Sequence, residues 1–158
     1  MSSVDELVDA FQAAWTSKRR AAFADVCTVD VHYEDPLCEH PVVGLDELAD
    51  HAARLWRAFP DARFERTGER LHDGRYVAAP VRVTGTHRGE LPRLPATKRK
   101  VALHAVFYCE LDTARERLWR VRAFFDAYDA AVQLGLLPRR GGLGERALLV
   151  LRGFGLSR

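Results

Sequence analysis

The chain has 158 residues, 47% of them hydrophobic and 29% charged, and its formal net charge is +2. This composition predicts one domain with a sizeable core, and the interspersed charges give no basic footprint for nucleic acid. Three scattered cysteines exclude a disulfide framework, and the longest aliphatic run, 147–151, is too short to span a membrane. The acidic start does not resemble a secretory signal. We therefore expect a cytoplasmic protein with no nucleic-acid partner and no membrane span.

Three helices are predicted in the first sixty residues. The first begins with a capping box, Ser3 followed by Glu6, and continues with apolar residues at helical spacing. A short second helix is predicted over 21–27 and a third over 46–59, where Pro60 ends it. Only one brief strand is expected in this part of the chain, over 31–33.

From residue 62 the apolar period changes to two, which predicts strands. Four strands share this period: 64–71, 76–86, 98–111 and 118–125. Asp73-Gly74 is a favoured hairpin dipeptide between the first two, and Pro80 in the second implies a sheet edge or a bulge. A short helical segment follows Asp126 and ends at the sequence QLG.

Helices followed by long antiparallel strands predict an α+β fold. We expect a cone-shaped α+β barrel, in which three N-terminal helices pack on a strongly curved, mostly antiparallel sheet. The interior of such a cone is the natural small-molecule pocket. The domain is expected over residues 1–137, followed by an extension over 138–158 that carries five arginines and one acid. This extension is interpreted as a helix that packs across a dimer or over the pocket, or that binds an anionic membrane surface.

Three segments resemble the SnoaL-like polyketide cyclases, which belong to the nuclear transport factor 2-like superfamily together with the ketosteroid isomerases. They are TGTHRGELPRLPATKRKVALHAVFYCELD, LWRVRAFFD and VQLG, and the resemblance covers roughly residues 4–137. It implies the cone fold and a homodimer. It also implies acid/base chemistry, without a cofactor, on a small hydrophobic carbonyl compound of polyketide type. Because this fold hosts many chemistries, the alternative is a non-catalytic small-molecule-binding or dimerisation module.

The resemblance places one catalytic candidate at Asp126. In SnoaL-like cyclases an aspartate seven residues before Gln-Leu-Gly is the general acid/base of an aldol ring closure, and this position is Asp126 here. The hypothesis requires that Asp126 reach the apolar hollow, where burial would raise its pKa. The alternative is that Asp126 caps the helical segment that follows it.

A second candidate lies in the stretch HYEDPLCEHPVVG. In ketosteroid isomerases a similar Glu-Asp-Pro segment carries the proton-shuttling base, which corresponds to Asp35. The alternative is that Asp35 only forms a turn before Pro36. The isomerases' oxyanion-hole positions fall near Phe11 and Phe107, which cannot donate hydrogen bonds, so the usual steroid-isomerase reaction is disfavoured.

Histidines and aromatic residues complete the candidate site. His104 is interpreted as an assistant that points into the cavity, or else as a satisfied core residue, and His87 as a support of the following loop. The other histidines lack metal-binding spacing and no His-Cys group is evident, so we expect no metal. The expected pocket lining is aromatic: Trp15, Phe11, Tyr33, Trp56, Phe59, Phe107 and Phe124.

Overall fold

The computed structural model describes residues 3–92 and 94–152. Helices from the first sixty residues form one layer of the fold. Helix α1, Val4–Ser17, begins with the expected capping box, in which the Ser3 hydroxyl accepts from the backbone N–H of Glu6 at 3.2 Å. A 3₁₀ helix, Arg20–Asp25, replaces the predicted second helix, and α2 spans Leu45–Ala58.

Seven strands form one sheet in the part of the chain that the structure describes. They are β1 Cys27–Glu34, β2 Val42–Val43, β3 Arg63–Arg66, β4 Leu71–Asp73, β5 Tyr76–Thr86, β6 Lys100–Leu111 and β7 Leu118–Phe125. The order is β2-β1-β7-β6-β5-β3, with β4 also paired to β5, and only the β1–β7 pair is parallel. The expected α+β class and the curved, mostly antiparallel sheet are confirmed, although the described strands do not close into a complete barrel.

The predicted strand 64–71 is divided, and Pro80 shows why. Strand β3 pairs with β5 as far as Arg66 opposite Val81, whereas β4 begins at Leu71 opposite Ala78. Pro80 lies in the gap between these partners, where no ladder N–H is needed, and its carbonyl accepts from the Thr67 N–H at 3.3 Å. The expectation of an edge or bulge at Pro80 agrees with this irregularity, in which residues 67–70 stand opposite 79–80, while β5 pairs with β6 in continuous register on its other side.

Strand alternation gives the sheet two different faces. Leu103, Ala105 and Phe107 of β6 point towards the helices, whereas His104 and Val106 point away from them. Phe11 of α1 packs edge-on against Phe107, with ring centroids 5.4 Å apart. The core therefore lies between the helical layer and the inner face of the sheet.

The loop after β5 contacts the C-terminal end of α2 through its backbone. The N–H groups of Arg88 and Gly89 donate to the Ala58 carbonyl at 2.8 and 3.1 Å. A Cβ atom at residue 89 would lie 2.0 Å from the carbonyl oxygen of Arg57, so only glycine allows this approach.

Two helices follow the sheet. Helix α3, Ala127–Gln133, is joined to β6 by the Gln133 side chain, whose amide accepts from the Ala102 N–H at 2.8 Å and donates to its carbonyl at 3.0 Å. The side chain of the glutamine in the QLG sequence thus makes the two hydrogen bonds to the Ala102 backbone that a neighbouring strand would otherwise make. Helix α4, Leu143–Leu151, buries none of its residues. None of the helices in the described ranges has the length and apolarity needed to cross a lipid bilayer.

Candidate active site

An apolar cavity of about 150 Å³ lies between the helices and the inner face of the sheet. Asp35 is the only charged residue among the described residues that line it. Five of the aromatic residues expected from the sequence are in its wall: Trp15, Tyr33, Trp56, Phe59 and Phe107. A single carboxylate in the wall of an apolar cavity is the arrangement that the acid/base hypothesis requires.

The structure corrects the other two expected lining residues. Phe11 is fully buried among the aromatic rings of the core and does not reach the cavity. Phe124 is 56% exposed, because strand alternation turns it to the outer face of the sheet. Its neighbour Phe125 lines the cavity instead.

Three hydrogen bonds within residues 33–38 hold Asp35 just beyond the end of β1. Its Oδ2 accepts from the Tyr33 hydroxyl at 3.0 Å, and its Oδ1 accepts from the Leu37 N–H at 2.7 Å. The Cys38 N–H donates to the Asp35 carbonyl at 3.0 Å, which closes a turn. Asp35 is therefore both a turn residue and part of the cavity wall, so the two sequence interpretations are compatible.

The partner that the sequence did not identify is His51 of α2. Its Nε2 lies 2.8 Å from Oδ2 of Asp35, and both side chains are almost completely buried. A signal was present, because His51 stands three residues after Leu48 and four before Leu55, on the apolar face of the helix. Such a histidine must find a polar partner inside the protein.

The Asp35 carboxylate is stabilised in its ionised form. Burial raises its pKa, but hydrogen bonding and attraction to His51, together with the Leu37 N–H and the Tyr33 hydroxyl, outweigh this and leave the pKa below its usual value. Burial and the neighbouring Asp35 charge raise the pKa of Tyr33 well above its usual value. The tyrosine therefore stays a hydrogen-bond donor to the carboxylate.

The two members of this pair face different spaces. Asp35 lines the apolar cavity, whereas His51 lines an adjoining groove of about 810 Å³ together with Cys38, Glu39 and His40. The cavity and the groove share lining residues, among them Leu37 and Leu55. The Asp35–His51 pair thus crosses the wall between the cavity and the groove.

Asp126 is not in the cavity. It is the N-cap of α3, where its Oδ1 accepts from the Asp129 N–H at 2.9 Å, and its side chain is 48% exposed. The pKa of Asp126 is held below its usual value mainly by the hydrogen bond from the Asp129 N–H and also by the Arg140 guanidinium 3.1 Å away. The strand ends at Phe125, and the chain turns outward there to begin the helix, so the predicted burial of Asp126 is wrong and the capping interpretation is correct.

His104 is also outside the cavity. It is exposed on the outer face of the sheet, where it borders a polar depression of about 560 Å³ with Asp126. His87 is fully buried, and its Nδ1 accepts from the Thr97 N–H at 3.1 Å, so it connects the two ends of the loop between β5 and β6. The structure brings Asp35 to the cavity and separates it from Asp126 and His104.

One group in the described residues has the chemistry of a metal site. Oδ2 of Asp35, Sγ of Cys38 and Nε2 of His51 all lie within 4.8 Å of one another. The sulfur is 3.7 Å from Nε2. The sequence argument, which found no His-Cys group, considered spacing along the chain and could not register residues that the fold brings together.

The fold and the family model give the same classification. The model of the SnoaL-like polyketide cyclases matches residues 5–134, and the chain belongs to this family. No curated protein matches the chain at a significant level.

Solved structures show the same fold at low sequence identity. A proposed SnoaL-like polyketide cyclase from Jannaschia sp. CCS1 superposes with a TM-score of 0.74 at 17% identity, covering 86% of this chain and 93% of that one. A SnoaL-like polyketide cyclase from Agrobacterium tumefaciens gives 0.69 at 20% identity, covering 85% and 100%. A protein of ketosteroid isomerase-like fold from Catenulispora acidiphila, in complex with trimethylamine, gives 0.70 at 18% identity, covering 85% and 95%.

Proposed function

We propose that this protein is an acid/base enzyme of cyclase or isomerase type that acts on a small hydrophobic carbonyl compound. The observation that carries the proposal is the position of Asp35, the one charged residue in the described lining of an otherwise oily cavity. Membership of the SnoaL-like family supports the reaction class. The chemistry that we assign to Asp35 is the removal of a proton from a carbon next to a carbonyl group.

In this mechanism, the substrate proton moves to the Asp35 carboxylate and returns from it to the product, while the hydrogen-bonded His51 supports the charge of the carboxylate. Tyr33 fixes the orientation of the carboxylate. The oxyanion-donor position that the family resemblance indicates falls near Phe107, which cannot donate a hydrogen bond, so we expect the enolate to receive no hydrogen bond there. This favours a 1,3-dicarbonyl compound, whose enolate spreads the charge over two oxygens. A base with a lowered pKa also needs such an acidic C–H group.

The second candidate function is a binding module that uses the same cavity without turnover. The absence of a hydrogen-bond donor at Phe107 favours it, as does the lack of any other charged group in the described cavity wall. Both functions predict binding of aromatic or polyketide-like compounds through flat apolar surfaces. Only the first predicts proton transfer.

Deuterium exchange separates the two functions. The protein is incubated in D₂O with a panel of aromatic 1,3-diketones, and loss of the proton between the carbonyl groups is followed by NMR. Binding is followed by tryptophan fluorescence, since Trp15 and Trp56 line the cavity. Accelerated exchange supports the enzyme, binding without exchange supports the module, and neither signal contradicts both.

We also propose that the protein forms a homodimer through the outer face of the sheet. Tyr76 and Tyr108 stack there with ring centroids 6.0 Å apart, and Val106 and Phe124 are exposed beside them. An exposed apolar patch with charged neighbours is typical of a protein interface. A two-fold axis would place the same patch of two chains together.

A further inference from the structure

We propose that Asp35, Cys38 and His51 form a binding site for a zinc-type divalent cation. Three different donor types converge here: a carboxylate oxygen, a thiol sulfur and an imidazole nitrogen, all within 4.8 Å of one another. These are the side chains from which zinc sites are built. The ion would take the same Asp35 oxygen and His51 nitrogen that are paired in the proposed base, so metal binding and base catalysis by Asp35 are alternative states of the site.

The donors lie near enough to one another for a tetrahedral site, although Nε2 and Oδ2 must move apart to admit an ion. Bond lengths typical of zinc place its ligand atoms roughly 3.3–3.7 Å apart. Nε2 of His51 is 2.8 Å from Oδ2 of Asp35 and 3.7 Å from Sγ of Cys38. Small side-chain rotations therefore suffice, and three protein ligands leave the fourth position for water or a ligand oxygen.

Charge and outer contacts also suit a divalent ion. The Asp35 carboxylate and a Cys38 thiolate together neutralise a dication, which avoids the cost of a net charge in a largely buried place. The thiol proton is released to solvent, and the His51 ring keeps its proton on Nδ1 while Nε2 binds the metal. The Leu37 N–H and the Tyr33 hydroxyl already orient the carboxylate, as outer residues of metal sites do.

The groove provides the entry path. Cys38 and His51 both line it, and the carboxylates of Glu39 and Glu47 at its border attract a cation, while Arg54 partly offsets them. Cys38 is only partly buried, whereas Cys27 and Cys109 are enclosed in the core. The cation therefore reaches the site without passing through the apolar cavity.

The test is a titration of the full chain with Co²⁺ after treatment with a chelator and desalting. A thiolate-to-cobalt band in the near ultraviolet and the visible bands of tetrahedral cobalt are expected to saturate at a single cation per chain. Zn²⁺ should then remove them, since it binds the same donors. Cys38→Ser should abolish the thiolate band and weaken affinity by more than the roughly 10–100-fold that follows the loss of a residue merely supporting a ligand.

Two further variants make the titration decisive. Cys109→Ala removes a thiol outside the group and should keep the full spectrum. His51→Gln should weaken cobalt binding while leaving the other two donors in place. No thiolate band in the wild type, or an unchanged band in Cys38→Ser, would overturn the proposal. Deuterium exchange measured with chelator present tests the enzymatic function separately, so either proposal can fail alone.

Discussion

Replacing Asp35 by asparagine removes the proposed base while keeping the shape of the side chain. The variant can still accept the hydrogen bond from the Leu37 N–H through its amide oxygen in place of Oδ1, and the Tyr33 hydroxyl can turn to accept from the amide nitrogen in place of Oδ2. Its amide nitrogen would face Nε2 of His51, which can accept a proton as the other tautomer. The cavity wall should therefore keep its form, and the perturbation is confined to the charge.

The expected effect on catalysis is large. A positioned general base contributes typically ~10²–10⁴ in rate, equivalent to ~2.7–5.4 kcal/mol of activation free energy. The effect on folding should be smaller, because one hydrogen bond between charged partners is exchanged for a neutral one, a loss of about 1.5–3 kcal/mol at most. The assay is deuterium exchange into an aromatic 1,3-diketone, with urea unfolding of the same samples.

Asp126→Asn is the matched control, because it makes the same chemical change at an exposed helix cap. Its exchange rate should equal that of the wild type, and fluorescence should report the same ligand affinity for all three proteins. Wild-type exchange in Asp35→Asn would refute the assignment of the base. Loss of exchange in Asp126→Asn alone would indicate that Asp126 is the general acid/base, as the family resemblance implies.

Three further predictions concern stability and assembly. Arg70 directly precedes β4, its side chain is 1% exposed, and its guanidinium donates to the Asp5 carbonyl of α1. Arg70→Met should lower the free energy of unfolding, measured in urea, by about 1.5–3 kcal/mol, because the hydrogen bonds of the charged guanidinium are lost while its acidic partners remain hydrated. Hydrogen bonds from the Thr86 side chain and N–H lower the pKa of Asp61 in the folded protein. The stability that these bonds supply is therefore complete above the pKa of Asp61 in the unfolded chain, near ~3.9, and is lost as the pH falls through the pKa of Asp61 in the folded protein. The acid-induced loss of stability should shrink in Asp61→Asn, and parallel pH curves would disprove the linkage. Tyr108→Glu should convert the dimer into monomers in analytical ultracentrifugation, and an unaltered mass would show that the outer sheet face is not the interface.

Much of the fold could be predicted because it is local. The strand 76–86, the turn at Asp73-Gly74 and the strand 118–125 were fixed by period and turn chemistry, and the structure reproduces them. The division of the strand 64–71 was not predictable in this way. It depends on which partner faces Pro80, and pairing across the sheet is a long-range property.

The candidate site was harder, and its errors have separate causes. His104 and Phe107 are three positions apart on one strand, so both could not face the cavity, and alternation alone argued against His104. Asp126 follows the last residue of a strand, where the direction of the side chain depends on the helix that begins there. Cys38 lies in a loop, whose path no periodicity predicts. His51 was identifiable as a buried histidine, but its partner just after β1 was known only from the fold.

The glycine at position 89 has a consequence for how this site can change. Because the loop touches the end of α2 main chain to main chain, that contact sets the height of the helix above the sheet. Trp56 of the cavity wall and His51 of the wall-crossing pair are carried by the same helix. The volume of the cavity and the position of His51 relative to Asp35 therefore change together when α2 moves. A mutation that enlarges the cavity by moving α2 away from the sheet would also displace His51 from Asp35. Substitutions of the sheet residues that line the cavity would enlarge it without moving this pair.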